Sequence, residues 1–250
     1  MTSQQKPGTS KQAQPNDHPI IGNLNSYLNQ FSTKPELGNL SRNEVICSVI
    51  SPDEKTIIGG GWKVIRTWNA TTGKLLGKFT AHTGWVLSVA ITPNGKILAS
   101  GGGDNKIHLW DLNTGNCLNT LSGHSGSIKT LKITTDGSKL VSGSTDKTIK
   151  IWNLSSGALL YTLEKHSYSV ESIAISNNNL FLASCDKNKV VNIWKLNEGS
   201  FVGNFKDHLD RVQIISARDI NKVTVFGTLE NKLSVLECQF YRSLNYKIFF

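Results

Sequence analysis

Short apolar runs of strand length recur along most of the chain, each closed by turn residues. Between His82 and His124 the order is VLSVAI (86–91), the turn Pro93-Asn94-Gly95, ILAS (97–100), and the turn Gly101-Gly102-Gly103-Asp104. KIHLW (106–110), the turn Asn113-Thr114-Gly115 and CLNTL (117–121) complete the unit. Four such runs with no helical period predict one antiparallel four-stranded sheet. The next unit repeats the plan with IKTLKI, LVS, TIKIW and LLYTL, and with turns at Asp136-Gly137, Ser144-Thr145-Asp146 and Ser155-Ser156-Gly157. The repeat is metrical: Trp68, Trp110, Trp152 and Trp194 stand 42 residues apart, as do His82, His124, His166 and His208, and Gly73, Gly115, Gly157 and Gly199. One isolated sheet cannot bury either of its faces, so neighbouring copies must cover them.

These units resemble WD repeats, the blades of a β-propeller. The signature of that family is a Gly-His before the innermost strand and a Trp-Asp ending the third. Gly123-His124 and Trp110-Asp111 carry it outright. Elsewhere it relaxes to Ala81-His82, Lys165-His166, Asp207-His208, Trp68-Asn69, Trp152-Asn153 and Trp194-Lys195. The resemblance covers about residues 43–250 and implies an all-β propeller. It also implies a hydrogen-bonded tetrad within each blade. By position the tetrads are His82, Ser100, Asp104 and Trp110; then His124, Ser142, Asp146 and Trp152; then His166, Ser184, Asn188 and Trp194, with Asn in the place of Asp. Along the third strand, Arg66, His108, Lys150 and Asn192 precede each Trp by two residues; the family commonly has a basic residue there, so no ligand is expected of them.

The pattern weakens at both ends. The first unit, about 43–80, lacks the His and has Trp62 near the expected Asp. The last, about 208–250, has Phe226, Glu230 and Leu236 in place of Ser, Asp and Trp. Terminal repeats are often atypical, so the expectation is five blades, at about 43–80, 82–121, 124–163, 166–205 and 208–250, within a propeller spanning 37–250. Seven is the usual number in the family. A closed small ring, an open arc that self-associates, and a fragment of a longer protein all remain open. Residues 1–36 form a tail, expected to be disordered to about residue 19. Ile20, Leu24, Leu28 and Phe31 then recur at near-helical spacing; a short helix over 20–31 docked on the propeller and a mobile linker are the two readings.

Composition adds a charge of +9 from 27 Lys and Arg against 18 Asp and Glu in 250 residues. The basic residues are scattered, so a basic nucleic-acid- or anion-binding module is the second reading, not the first. No apolar run approaches the length of a membrane helix, and the N-terminus lacks the apolar core of a signal peptide, so no membrane insertion is expected. Cys47, Cys117, Cys185 and Cys238 form no CxxC pair and read as reduced cytoplasmic thiols. A Ser, a His and an Asp in one blade superficially suggest a hydrolase triad, but a nucleophile is needed once and this trio recurs. The glycine runs carry no GxxxxGK[ST] phosphate loop. No catalytic residue, cofactor or metal is expected.

The family's contacts concentrate on the narrow face around the central channel. By position these are Trp85 and Leu87, Ser127 and Lys129, Ser169 and Glu171, and Arg211 and Gln213, with Gly103, Thr145 and Lys187 from the turn between the second and third strands. The resemblance therefore implies a non-enzymatic protein-interaction scaffold. Trp85 with Lys129 and Arg211 suits an acidic or phosphorylated peptide.

Overall fold

The computed structural model describes residues 45–205 and, beyond them, the strands Arg211–Asp219, Lys222–Leu229, Lys232–Gln239 and Lys247–Phe249. The expected disorder to residue 19 and the helix over 20–31 lie outside the described residues. The described chain is all β: twenty strands in five four-stranded antiparallel sheets, each a simple up-and-down meander. Blade 1 is β1 (Cys47–Ile50), β2 (Thr56–Gly60), β3 (Ile65–Asn69) and β4 (Leu75–Phe79). Blade 2 is β5 (Val86–Ile91), β6 (Ile97–Gly102), β7 (Ile107–Asp111) and β8 (Cys117–Leu121). Blade 3 is β9 (Ile128–Ile133), β10 (Lys139–Ser144), β11 (Ile149–Asn153) and β12 (Leu159–Leu163). Blade 4 is β13 (Val170–Ile175), β14 (Phe181–Asp186), β15 (Val191–Lys195) and β16 (Ser200–Phe205). Blade 5 is β17 (Arg211–Asp219), β18 (Lys222–Leu229), β19 (Lys232–Gln239) and β20 (Lys247–Phe249).

The turn joining the third and fourth strands explains one of the 42-residue spacings. Gly73, Gly115, Gly157 and Gly199 all adopt positive φ, between 65° and 74°. Each donates its N–H to the carbonyl of the residue after the Trp: Asn69, Asp111, Asn153 or Lys195. That left-handed conformation is nearly free for glycine and strained for residues with a Cβ. The side chains of Asn69, Asp111 and Asn153 cap the same turn, each accepting backbone N–H bonds. Only an acceptor oxygen is needed, so Asn serves where the repeat signature has Asp.

The core lies between blades. β1 packs on β5, β5 on β9, β9 on β13 and β13 on β17, so the first strand of each sheet lines the centre. Trp110 stacks on Phe79 of the preceding blade at 5.6 Å. Trp152 sits with Leu121 of blade 2, and Trp194 with Leu163 of blade 3. In each of these blades the register between third and fourth strands shifts at the Trp. Such an irregularity re-aims a side chain, and here it accompanies a ring that reaches across to the neighbouring sheet. Among the described residues β1 and β17 do not pack on each other as the first strands of adjacent blades do. The outward face of blade 1 is nevertheless not bare, since Ile57 and Trp68 are each 2% exposed.

Candidate functional site

The tetrads build from strand ends. In blade 2, the indole Nε1 of Trp110 donates to Ser100 Oγ at 2.8 Å, and Ser100 Oγ is 2.8 Å from His82 Nε2. His82 Nδ1 lies 2.9 Å from Asp104 Oδ2, which also accepts the backbone N–H of Thr83 at 3.0 Å. A carboxylate only accepts, so Nδ1 carries the imidazole proton and Nε2 takes the serine hydroxyl proton. Blade 3 repeats the chain with Trp152, Ser142, His124 and Asp146, whose Oδ2 lies 2.7 Å from His124 Nδ1. Thr148 Oγ1 donates to the second oxygen of Asp146 at 2.7 Å.

Blade 4 departs from the expected set. Trp194, Ser184 and His166 are joined as in the other blades, but the carboxylate 3.1 Å from His166 Nδ1 belongs to Asp186, not to the position of Asn188. Asp186 ends β14 and is buried, and its other oxygen accepts the backbone N–H of Asn188 at 2.9 Å. The 42-residue spacing points to Asn188; a carboxylate two positions earlier reaches the same imidazole, and Asn188 is left exposed. The cue was present in the sequence as an acidic residue at the strand end.

Electrostatics follow from burial. Desolvation pushes the His124 and His166 imidazoles below their ordinary value, with their Asp partners partly opposing it. Burial raises the carboxyls of Asp104 and Asp146, but hydrogen bonds outweigh it: from Thr83 and His82 in the first case, from Thr148 and His124 in the second. Both end below the usual carboxylate range. Ser100, Ser142 and Ser184 are 0% exposed, and each already accepts an indole N–H. A hydroxyl so enclosed has no approach for an electrophile, so the triad-like bonding does not make a nucleophile.

Blade 1 has no such tetrad. Ile58 stands where Ser100 stands in blade 2, and Trp62 where Asp104 stands. Trp62 instead projects from the turn after β2 and is 52% exposed. Its backbone pairs with that of Trp85, supported by Val86 N–H to Gly61 O at 2.9 Å and Lys63 N–H to Gly84 O at 3.0 Å. The two rings meet edge-on at 5.3 Å, and Lys63 Nζ lies 5.2 Å over the Trp62 ring. Trp85 is 38% exposed. Sequence reasoning singled out Trp85 and left Trp62 aside; the aromatic in place of the tetrad acid was the available signal.

The other expected face residues gather at the same ends of the blades. The turns between second and third strands are tied to the start of each first strand: Gly103 N–H to Trp85 O, Thr145 N–H to Ser127 O, and Lys187 N–H to Ser169 O. Leu87, Ser127, Lys129, Ser169 and Glu171 are half-buried there, while Thr145 and Lys187 are exposed. Lys129 Nζ is 3.8 Å from Glu171 Oε2, and Ser169 Oγ donates to Glu171 at 2.7 Å, so the Lys129 charge is already shared. Arg211 and Gln213 lie on β17, whose side chains are outside the description. Lys63, Lys106, Lys147 and Lys187, in the turns between second and third strands of successive blades, are exposed.

Comparison with known proteins identifies the WD domain, G-beta repeat, at residues 73–111, 115–153 and 157–195. The chain is also 39% identical over 59 residues to a protein named small ribosomal subunit protein RACK1y from Oryza sativa subsp. japonica. That stretch is 22% of this chain and only 18% of the relative's length.

Proposed function

The chain carries WD repeats of the G-beta type, and from that premise we propose that it is a non-enzymatic cytoplasmic scaffold. It binds other proteins through the blade ends that bear Trp62 and Trp85. The observation that carries this reading is the exposed, mutually supported Trp62–Trp85 pair, held by backbone bonds between blades 1 and 2. Tryptophan is the side chain most enriched among interface anchors, and a rigid platform presents it with little ordering cost. Lys63 over the Trp62 ring, with the exposed lysines of the corresponding turns in the next blades, favours an acidic or phosphorylated peptide. The enclosed serines argue against catalysis. Cys47, Cys117 and Cys185 form no disulfide, which fits a reducing compartment, and no described helix is long and apolar enough to cross a membrane. The 59 residues shared with the rice protein fall short of two repeats, so the shared property is the repeat and not that protein's place in a ribosomal subunit.

The test is binding to an array of acidic and phosphorylated peptides by the wild-type chain, Trp62→Ala and Trp85→Ala. We expect each substitution to weaken the best ligands more than about tenfold while far-UV circular dichroism stays unchanged. Full retention of every ligand by both folded variants sinks this site. Equal binding to mixed-sequence RNA with steep loss in salt supports the nucleic-acid module suggested by the net charge of +9.

A further inference from the structure

We propose that blade 2 holds a divalent transition-metal ion, of the zinc or cobalt type, between His82, Asp104 and His108. One ligand atom from each of these residues lies within 4.8 Å of the others. His108 is what separates this blade from its neighbours. It occupies the position of Lys150 and Asn192, and each of those spends its polar atoms. Lys150 Nζ donates to Thr162 Oγ1 at 2.9 Å, and Asn192 Nδ2 lies 3.2 Å from His166 Nε2. His108 Nδ1 makes the matching contact to Thr120 Oγ1 at 2.9 Å. Its second nitrogen, Nε2, has no hydrogen-bond partner, although the residue is only 5% exposed. Its ring meets that of His82 edge-on, with centroids 4.4 Å apart. A buried imidazole nitrogen with nothing to bond is costly unless something comes to it.

A third observation concerns space. In blades 3 and 4 the last residue of the second strand carries a side chain, Ser144 or Asp186; in blade 2 it is Gly102. A Cβ at Gly102 would lie 2.8 Å from His82 Nδ1 and 3.1 Å from Asp104 Oδ1, so the flank of that pair carries no side chain. Two imidazoles and one carboxylate suit zinc, cobalt, nickel or copper rather than magnesium or calcium. In binding, the ion takes the lone pair of His82 Nδ1, and the imidazole proton moves to Nε2, which then donates to Ser100 Oγ. The Ser100 hydroxyl then accepts from both Nε2 and the Trp110 indole and turns its own proton away from Nε2. No proton is lost. The site departs from the expectations that the chain holds no metal and that His108, at the family's basic position, is no ligand.

The experiment is titration of the full chain with zinc chloride by calorimetry, and with cobalt chloride by visible absorption. It compares wild type, His108→Asn, His108→Lys and Cys117→Ser. The two His108 substitutions install residue types that blades 4 and 3 already carry at this place, and melting curves without metal verify the fold. We expect one ion per wild-type chain, affinity lower by about a hundredfold or more in both His108 variants, no change in Cys117→Ser, and a cobalt spectrum without thiolate charge-transfer bands. Equal affinity in folded His108 variants overturns the proposal. So does a site abolished by Cys117→Ser, whose Sγ lies 3.8 Å from His108 Nδ1, or the absence of any ion at millimolar zinc.

Discussion

Within a blade, the identity of one atom decides a residue's worth. The carboxylate of Asp186 and the side chain of Asn188 are two positions apart, yet only the former meets His166. Asp186→Ala leaves a buried imidazole N–H without an acceptor and should cost about 1–3 kcal/mol in urea denaturation. Asn188→Ala, at an exposed turn, should change the midpoint little. Equal losses from the two would contradict the assignment of Asp186. The same imidazoles set a pH dependence. His124 and His166 titrate below the ordinary value in the folded chain because burial disfavours the cation, against the opposing pull of Asp146 and Asp186. The unfolded chain therefore takes up protons first as pH falls. Their contribution is intact above about pH 6.5 and is lost as pH drops toward the depressed folded values. Asp146, also depressed, extends the loss below about pH 4. Calorimetric Tm should fall between about pH 7 and pH 5, and a flat profile there would show that the imidazoles are not desolvated.

At the scale of the strand and turn, glycine placement carries the repeat. Gly157 has φ 72°, and a Cβ there would press on Asn119 and Leu121 of the preceding blade. Gly157→Ala should therefore destabilise by at least about 1 kcal/mol, from backbone strain and from the clash, measured as a lower unfolding midpoint. A neutral result would mean that the turn relaxes. The four-strand plan of blades 2 to 4 was legible from run lengths and turn residues alone, because the inner strands are short apolar runs buried between blades, the fourth strand is a largely exposed run of similar length, and every turn needs a residue that tolerates its backbone. Blade 5 was harder to read. Phe226, Glu230 and Leu236 break the signature, yet β17 to β20 pair in the same order as the other blades. Antiparallel pairing needs the strand lengths and turns more than it needs the tetrad.

For the molecule as a whole, the packing of each blade on the next makes a series of apolar clusters between sheets, and the two ends of that series decide the assembly. An open arc with a bare sheet face would self-associate. Ile57 and Trp68 on the outward face of blade 1 are instead buried within the single chain. We therefore expect a monomer by light scattering at micromolar concentration; a stable dimer would place the blade 1 face at an interface. Run lengths and turn residues determined by themselves the sheet type and the number of strands per blade, the spacing of Trp, His and Gly determined the repeat, and the resemblance that this repeat carries implied the tetrads of blades 2 and 3. Only the tertiary structure decided that Asp186 reaches the imidazole in place of Asn188, that Trp62 meets Trp85, and that the His108 ring meets His82 while its Nε2 stays without a hydrogen bond. Those relations join residues at spacings the repeat does not share. They arise where strand ends from one or two sheets converge, which no periodicity along the chain can report.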